Sequence, residues 1–129
     1  MTDMTFDTLR AANIRRLPLF KNAKGEPAHS EPDGSDWSPA EWLQAVTGEL
    51  GELANVLKKV RRGDFPLDIH LEAIEKEFAD IAIYLDIFAY QYRIDLGAAV
   101  RNKFNEVSNR VGAPVFIDPD NRVHDGTGA

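Results

Sequence analysis

Glu49 and Glu52 lie three residues apart in the stretch TGELGELANVLKKVRRGD, residues 47–64, and Glu77 and Asp80 repeat that spacing after 24 intervening residues. On a helix, carboxylates at this spacing project from one side. Such a pair can hold a hard divalent cation through oxygen, or one member can take a proton from water. With about 100° per residue and Val46 as zero, Leu50, Leu53 and Leu57 fall within about 40° of Val46. Glu49 falls at about 300°, inside the apolar sector, and Glu52 at about 240°, on its flank. Further along, Asp80 falls by angle between Ile87 and Tyr84, and Glu77 beside Phe88 and Ile81. Burying one unpaired carboxylate is costly, and burying several of like sign is prohibitive without compensation. The basic residues nearest in sequence, Lys58, Lys59 and Lys76, do not converge on them. A Mg2+ ion shared between carboxylates and a substrate's phosphates supplies the compensation. Two facing pairs suffice for one or two metals. The bland alternative for each pair is a solvated helix face.

The elements that must position these residues read as helices. Phe6, Leu9, Ile14 and Leu17 fit a short amphipathic helix from Thr5 to Leu17, stopped by Pro18. Residues 20–36, FKNAKGEPAHSEPDGSD, read as a long loop of a kind that is usually functional or mobile. In DWSPAEW, Ser38 suits the N-cap, Pro39 the first helical position and Glu41 the third residue of a capping box. This second helix should end at Arg61 or Arg62, with Gly63 at the left-handed position beyond it. A third helix is expected from about Asp68 to Tyr92, and a fourth from Asp95 to Gly112. APVFIDPDNRVHDGTGA reads as a tail in which PVFI adds at most a short extended segment and the last few residues are disordered.

The expected class is therefore all-α, an antiparallel bundle of about four helices: a helical domain over residues 1–112, its core about 37–112, then a tail over 113–129. Ile81, Ile83, Tyr84, Leu85, Ile87 and Phe88 spread around most of the third helix, and a helix apolar all round must be covered on all sides. Dimerisation through that helix, or assembly to a tetramer, would cover it.

Composition sets outer limits. The chain has 129 residues, enough for one domain with its own core. It lacks cysteine, which rules out disulfides and thiolate metal sites. The net charge of −6 makes a poor duplex nucleic-acid binder, because phosphate neutralisation supplies most of that affinity. No apolar run is long enough to span a bilayer, so no membrane partner is expected. The N-terminal MTDMTFDTLRAANIRR has no basic-then-apolar signal pattern, so a cytoplasmic setting is the expectation.

Glu49-x-x-Glu52 followed by Glu77-x-x-Asp80 resembles the signature of the MazG-like all-α nucleoside triphosphate pyrophosphohydrolases. That superfamily includes dimeric dUTPases, dCTP pyrophosphatases and phosphoribosyl-ATP pyrophosphohydrolase. The surrounding GELGELANVLKK, and EKEFADIAIYLDIFAYQYRIDLGAAVRNKFNEVSNRVG with its YLD, IDL and KFN, carry the resemblance over roughly residues 37–112. It implies Mg2+-dependent hydrolysis (Mn2+ as a substitute) of a nucleoside triphosphate to the monophosphate and pyrophosphate, as in nucleotide-pool sanitation. It implies Glu49, Glu52, Glu77 and Asp80 as metal ligands, with Glu49 or Glu52 also the catalytic base. Tyr84 matches a tyrosine near the sugar or phosphate, and Lys103 the lysine opening the phosphate-binding segment. Many relatives place an asparagine four residues after that lysine, where this chain has Val107. Arg110 shares a helix face with Lys103, and Asn105 and Asn109 are the neighbouring amides. Base recognition falls to Trp37, with His29 a second candidate and Trp42 assigned by angle to the core. The competing expectations are a phosphoribosyl-ATP-type hydrolase, or a non-catalytic acidic helical module that dimerises.

Overall fold

The computed structural model describes residues 3–64 and 66–126. The expected disorder of the last few residues concerns 127–129, which lie outside the described residues. The chain divides into two compact units, Met1–Arg93 and Ile94–Ala129, taken here one at a time.

The first unit holds three helices. Helix α1, Phe6–Arg16, is capped by Thr5, whose Oγ1 accepts from the Thr8 N–H at 3.1 Å, and Arg15 and Arg16 fall in its last turn. A 3₁₀ turn at Leu17–Leu19 follows, with Pro18 ending regular helix. Helix α2, Pro39–Arg62, begins as the capping residues predict, Ser38 Oγ accepting from the Glu41 N–H at 3.2 Å. It ends at Gly63, whose φ of 79° is the left-handed conformation that glycine adopts without strain. Helix α3 spans Leu67–Gln91. Both α1 and α2 pack on α3. Leu17, Trp42 and Ile87 are buried at the centre, with Phe20, Ile83, Tyr84 and Phe88 around them.

Two expectations for this unit need correction. The leucines Leu50 and Leu57, placed by angle in the apolar sector of α2, are about half exposed, while Trp42 and Val46 are buried. The packing face is centred to one side of the stripe because Trp42 anchors it. Two further apolar lines stay outside, Leu43–Leu50–Leu57 on α2 and Leu71–Phe78–Leu85 on α3 with Tyr92 just past its end, each stepping by seven residues. The segment 20–36 is also far from structureless. Lys21 pairs with Pro27, Asn22 Oδ1 accepts from the N–H groups of Lys24 and Glu26, and Trp42 Nε1 donates to the Gly34 carbonyl at 3.1 Å. Gln91 Nε2 donates to the Asp33 carbonyl at 2.9 Å, which ties the loop to the end of α3.

The second unit holds α4, Leu96–Val111, capped by Asp95 accepting from the Ala98 N–H at 3.0 Å. The segment after it is a hairpin rather than a loose tail. Strand β1, Val115–Ile117, pairs antiparallel with β2, Val123–Asp125, with Phe116 opposite His124. Asp118 holds the turn, its Oδ1 accepting from the N–H groups of Asp120 and Arg122. The helical expectation holds in part: among the described residues the four expected helices are present, with a small two-stranded sheet added. DPDN supplies the turn, but the strands are too short for their period to show in sequence.

Candidate metal centre

Glu49 comes from the middle of α2, and Glu77 and Asp80 from one side of α3, one turn apart. The packing of α2 on α3 makes them converge: one carboxylate oxygen from each lies within 4.8 Å of the others. All three side chains are partly buried. Oε2 of Glu77 is fully buried and has no hydrogen-bond partner. A buried carboxylate oxygen left unmatched costs a large part of its hydration energy.

Electrostatics makes the same point. Burial pushes the Glu49 carboxyl above the ordinary range, and the charges of Asp80, Glu77 and then Glu52 push it further the same way. No positive side chain opposes them in that balance. Three oxygens of like sign, converging and partly desolvated, fit a hard divalent cation in both donor type and number. An ion bound there would be ligated by Glu49, Glu77 and Asp80. Glu52, the fourth expected ligand, is exposed one turn along α2 and stands outside the converging group, though its charge reaches Glu49.

Tyr84 lies next to the carboxylates. Burial raises its phenol above the usual value, Glu49 and Asp80 add to the rise, and Arg16 opposes it. Trp37 is half-buried, its ring 4.7 Å from Trp42 and 4.8 Å from His29. It borders a groove of about 420 Å³ with Glu41, Gln44 and Ala45, on the α2 turns preceding Glu49. His29 is stacked on Trp42 with centroids 5.3 Å apart and its side chain is almost wholly covered. That leaves Trp37 as the aromatic with an open side.

The four remaining expected substrate residues belong to α4, in the other unit. Lys103 pairs with Glu106 at 3.0 Å, and both are exposed. Asn105 pins β1: Nδ2 donates to the Ile117 carbonyl at 2.8 Å and Oδ1 accepts from the Ile117 N–H at 2.9 Å. Asn109 and Arg110 are exposed on the last turns of the helix.

Sequence reasoning missed a buried polar network. Asp86, only 1% exposed, receives two hydrogen bonds from Arg10 Nε at 3.1 and 3.2 Å and one from Asn13 Nδ2 at 2.9 Å. The available signal was the 10–13–17 spacing on α1, a polar-polar-apolar stripe facing one neighbour. No protein-family model matches the chain, and no curated protein or solved structure matches it either.

Proposed function

We propose that the protein is a Mg2+-dependent nucleoside triphosphate pyrophosphohydrolase, with Mn2+ able to substitute. The observation that carries this reading is the convergence of Glu49, Glu77 and Asp80 with the Glu77 Oε2 left unmatched. A metal ion held by Glu49, Glu77 and Asp80 would supply neutralisation of phosphate oxygens and acidification of water. Water then attacks the α-phosphorus, the bond to the α,β-bridging oxygen breaks, and pyrophosphate leaves with that electron pair. Glu49 or Glu52, whichever the ion leaves free of ligation, takes the water's proton. Glu52, exposed one turn along α2 and outside the converging group, is the one of the two that stands apart from the ligand set. Tyr84 and Trp37 line the approach to sugar and base.

The proposal includes a homodimer or a tetramer. The apolar lines on α2 and α3 repeat every seven residues, the spacing with which one helix pair covers another. A second copy of the chain is the simplest cover for them, and sedimentation at micromolar concentration should show it. No helix among the described residues is long and apolar enough to cross a membrane.

The test is a pyrophosphate-release screen over canonical and modified (deoxy)nucleoside triphosphates with Mg2+ or Mn2+. Activity should appear with at least one substrate and vanish in Glu49→Gln. Release that is independent of divalent cation, or unchanged in Glu49→Gln, overturns the assignment.

A further inference from the structure

The groove beside Trp37 lies on the same helix as Glu49 and leads toward it. Trp37 is fixed from behind: its N–H donates to the Gly34 carbonyl at 3.2 Å, and the buried Trp42 donates to that same carbonyl through Nε1. The rings of His29 and Trp42 hold the indole, with centroids 4.8 and 4.7 Å away. Glu41, Gln44 and Ala45 make the rest of the groove. With about 100° per residue, Ala45 lies about 40° from Glu41 and Glu49 about 40° further on, so the three follow one side of α2. At about 1.5 Å per residue, Ala45 stands about 6 Å before Glu49 along the helix axis and Glu41 about 12 Å before it. Ala45 carries only a methyl group and leaves that path open. A nucleotide with its phosphates at the metal ligands therefore brings its sugar past Ala45 and its base between Trp37 and Glu41.

We infer that Glu41 and Gln44 read the base held against Trp37 and select bases that carry an exocyclic amine. An ionised carboxylate only accepts hydrogen bonds, whereas a carboxamide both accepts and donates. Cytosine offers such a pair an amine that donates to Glu41 and a ring nitrogen that accepts from Gln44 Nε2; adenine carries the same amine and ring nitrogen. Uracil has the outline of cytosine but turns a carbonyl oxygen toward the carboxylate, where neither group can donate. Glu41 is exposed in the free protein, and a base covering it is what makes that mismatch costly. Glu41 is also the charged residue among those bordering the groove. The inference rests on the nucleotide reading above for the triphosphate, while the choice of base is a separate claim.

Binding of the α,β-methylene analogues of CTP and UTP in millimolar Mg2+ separates that claim from hydrolysis, because their α,β link is not cleaved. The chain has two tryptophans and Trp42 is buried, so quenching of tryptophan emission reports a base on Trp37. Wild-type protein should bind the CTP analogue at least about tenfold more tightly than the UTP analogue. In Glu41→Gln, whose amide can donate to the uracil carbonyl, the ratio should shrink to within about threefold. Glutamine also suits this third position of the helix, so circular dichroism should be unchanged. Equal affinity for the two analogues, binding of neither, or a ratio unmoved in Glu41→Gln overturns the inference and makes Glu41 and Gln44 solvated side chains. If the ratio behaves as expected while wild type releases no pyrophosphate from CTP or ATP, the base subsite stands and the pyrophosphohydrolase reading falls. If pyrophosphate is released from every base at equal kcat/KM and the analogues bind alike, the pyrophosphohydrolase reading stands and the base inference falls.

Discussion

Two acidic regions of the first unit show opposite treatment of the same functional group. In the loop before α2, Asp33 and Asp36 are surrounded by donors. Asp33 accepts from the Ser35 N–H at 3.0 Å and from Arg93 Nη2 at 2.9 Å, and these contacts hold it below the ordinary carboxylate range. Burial pulls Asp36 upward, but N–H groups of Ser30 and Glu31 and the adjacent His29 outweigh it and leave it lowered. On the α2–α3 seam, Glu49 is raised and Glu77 keeps a buried oxygen unmatched. Glycines divide the same way. A Cβ on Gly34 would sit 2.8 Å from Trp42 Cζ2, whereas one on Gly48 or Gly51 meets nothing within 4 Å. The loop uses its carboxylates and its glycine to complete its own packing. The seam leaves its carboxylates unmatched, which is what a site awaiting a ligand requires, while Gly48 and Gly51 lie exposed on α2 with open space beside them.

The sharpest way to break this contrast is to remove one carboxylate from each region. Glu49→Gln or Asp80→Asn should cut Mg2+-dependent pyrophosphate release by roughly 10²–10⁴-fold with helical circular dichroism unchanged. Asp36→Ala should leave kcat/KM within about twofold and cost about 1 kcal/mol of stability, because the Ser30 and Glu31 N–H groups lose the carboxylate that accepts from them. Equal activity losses in the two regions would erase the distinction.

The glycines sharpen it in stability alone. Gly34→Ala forces a methyl against Trp42 at φ 75° and should cost about 2–3 kcal/mol in a denaturant titration. Gly51→Ala adds a helix-favouring side chain in open space and should stabilise by about 0.5–1 kcal/mol.

What could be read in the sequence divides along similar lines. Ser38, Gly63 and Asp95 act on their own backbone, so helix boundaries within a residue or two followed from local chemistry. The inward turn of Glu49, Glu77 and Asp80 followed from helical period, because three carboxylates had to share space with leucine and isoleucine. The Asp86 network, the ordered loop and the exposed heptad lines depend on which helix packs where. Asp86 in YLDIFAY is indistinguishable from a surface aspartate until Arg10 and Asn13 arrive from more than 70 residues away. Leu50 looked like a core residue because its own helix cannot say that Trp42, eight positions earlier, would set the packing face.

Adding metal tests the seam by itself. If the folded state binds Mg2+ and the unfolded chain does not, a concentration of a hundred times Kd stabilises by about 2.7 kcal/mol. Wild-type protein should show that rise in melting temperature, and Glu77→Gln should show little of it. Asp36→Ala should shift as the wild type does, since the loop carboxylates already have their partners. Glu77→Gln without metal should melt higher than metal-free wild type, because the buried unmatched oxygen no longer carries charge.

pH is the finest probe, because the two regions should bend the stability curve in opposite senses. The lowered Asp33 and Asp36 bind protons more weakly folded than unfolded. Their contribution is complete above the ordinary aspartate value of about 3.9 and is lost as pH falls through the lowered values. Glu49 is raised, so between the ordinary glutamate value of about 4.3 and its folded value the native state holds more protons than the unfolded chain. Its effect on stability therefore declines as pH rises across that interval. Melting temperature in metal-free buffer should fall there in wild type and stay flatter in Glu49→Gln. Saturating Mg2+ should remove the decline, because the ion replaces the proton as the charge that the cluster lacks. A wild-type curve that rises through the interval, or a decline that survives in Glu49→Gln, would place the strain elsewhere than on this carboxylate.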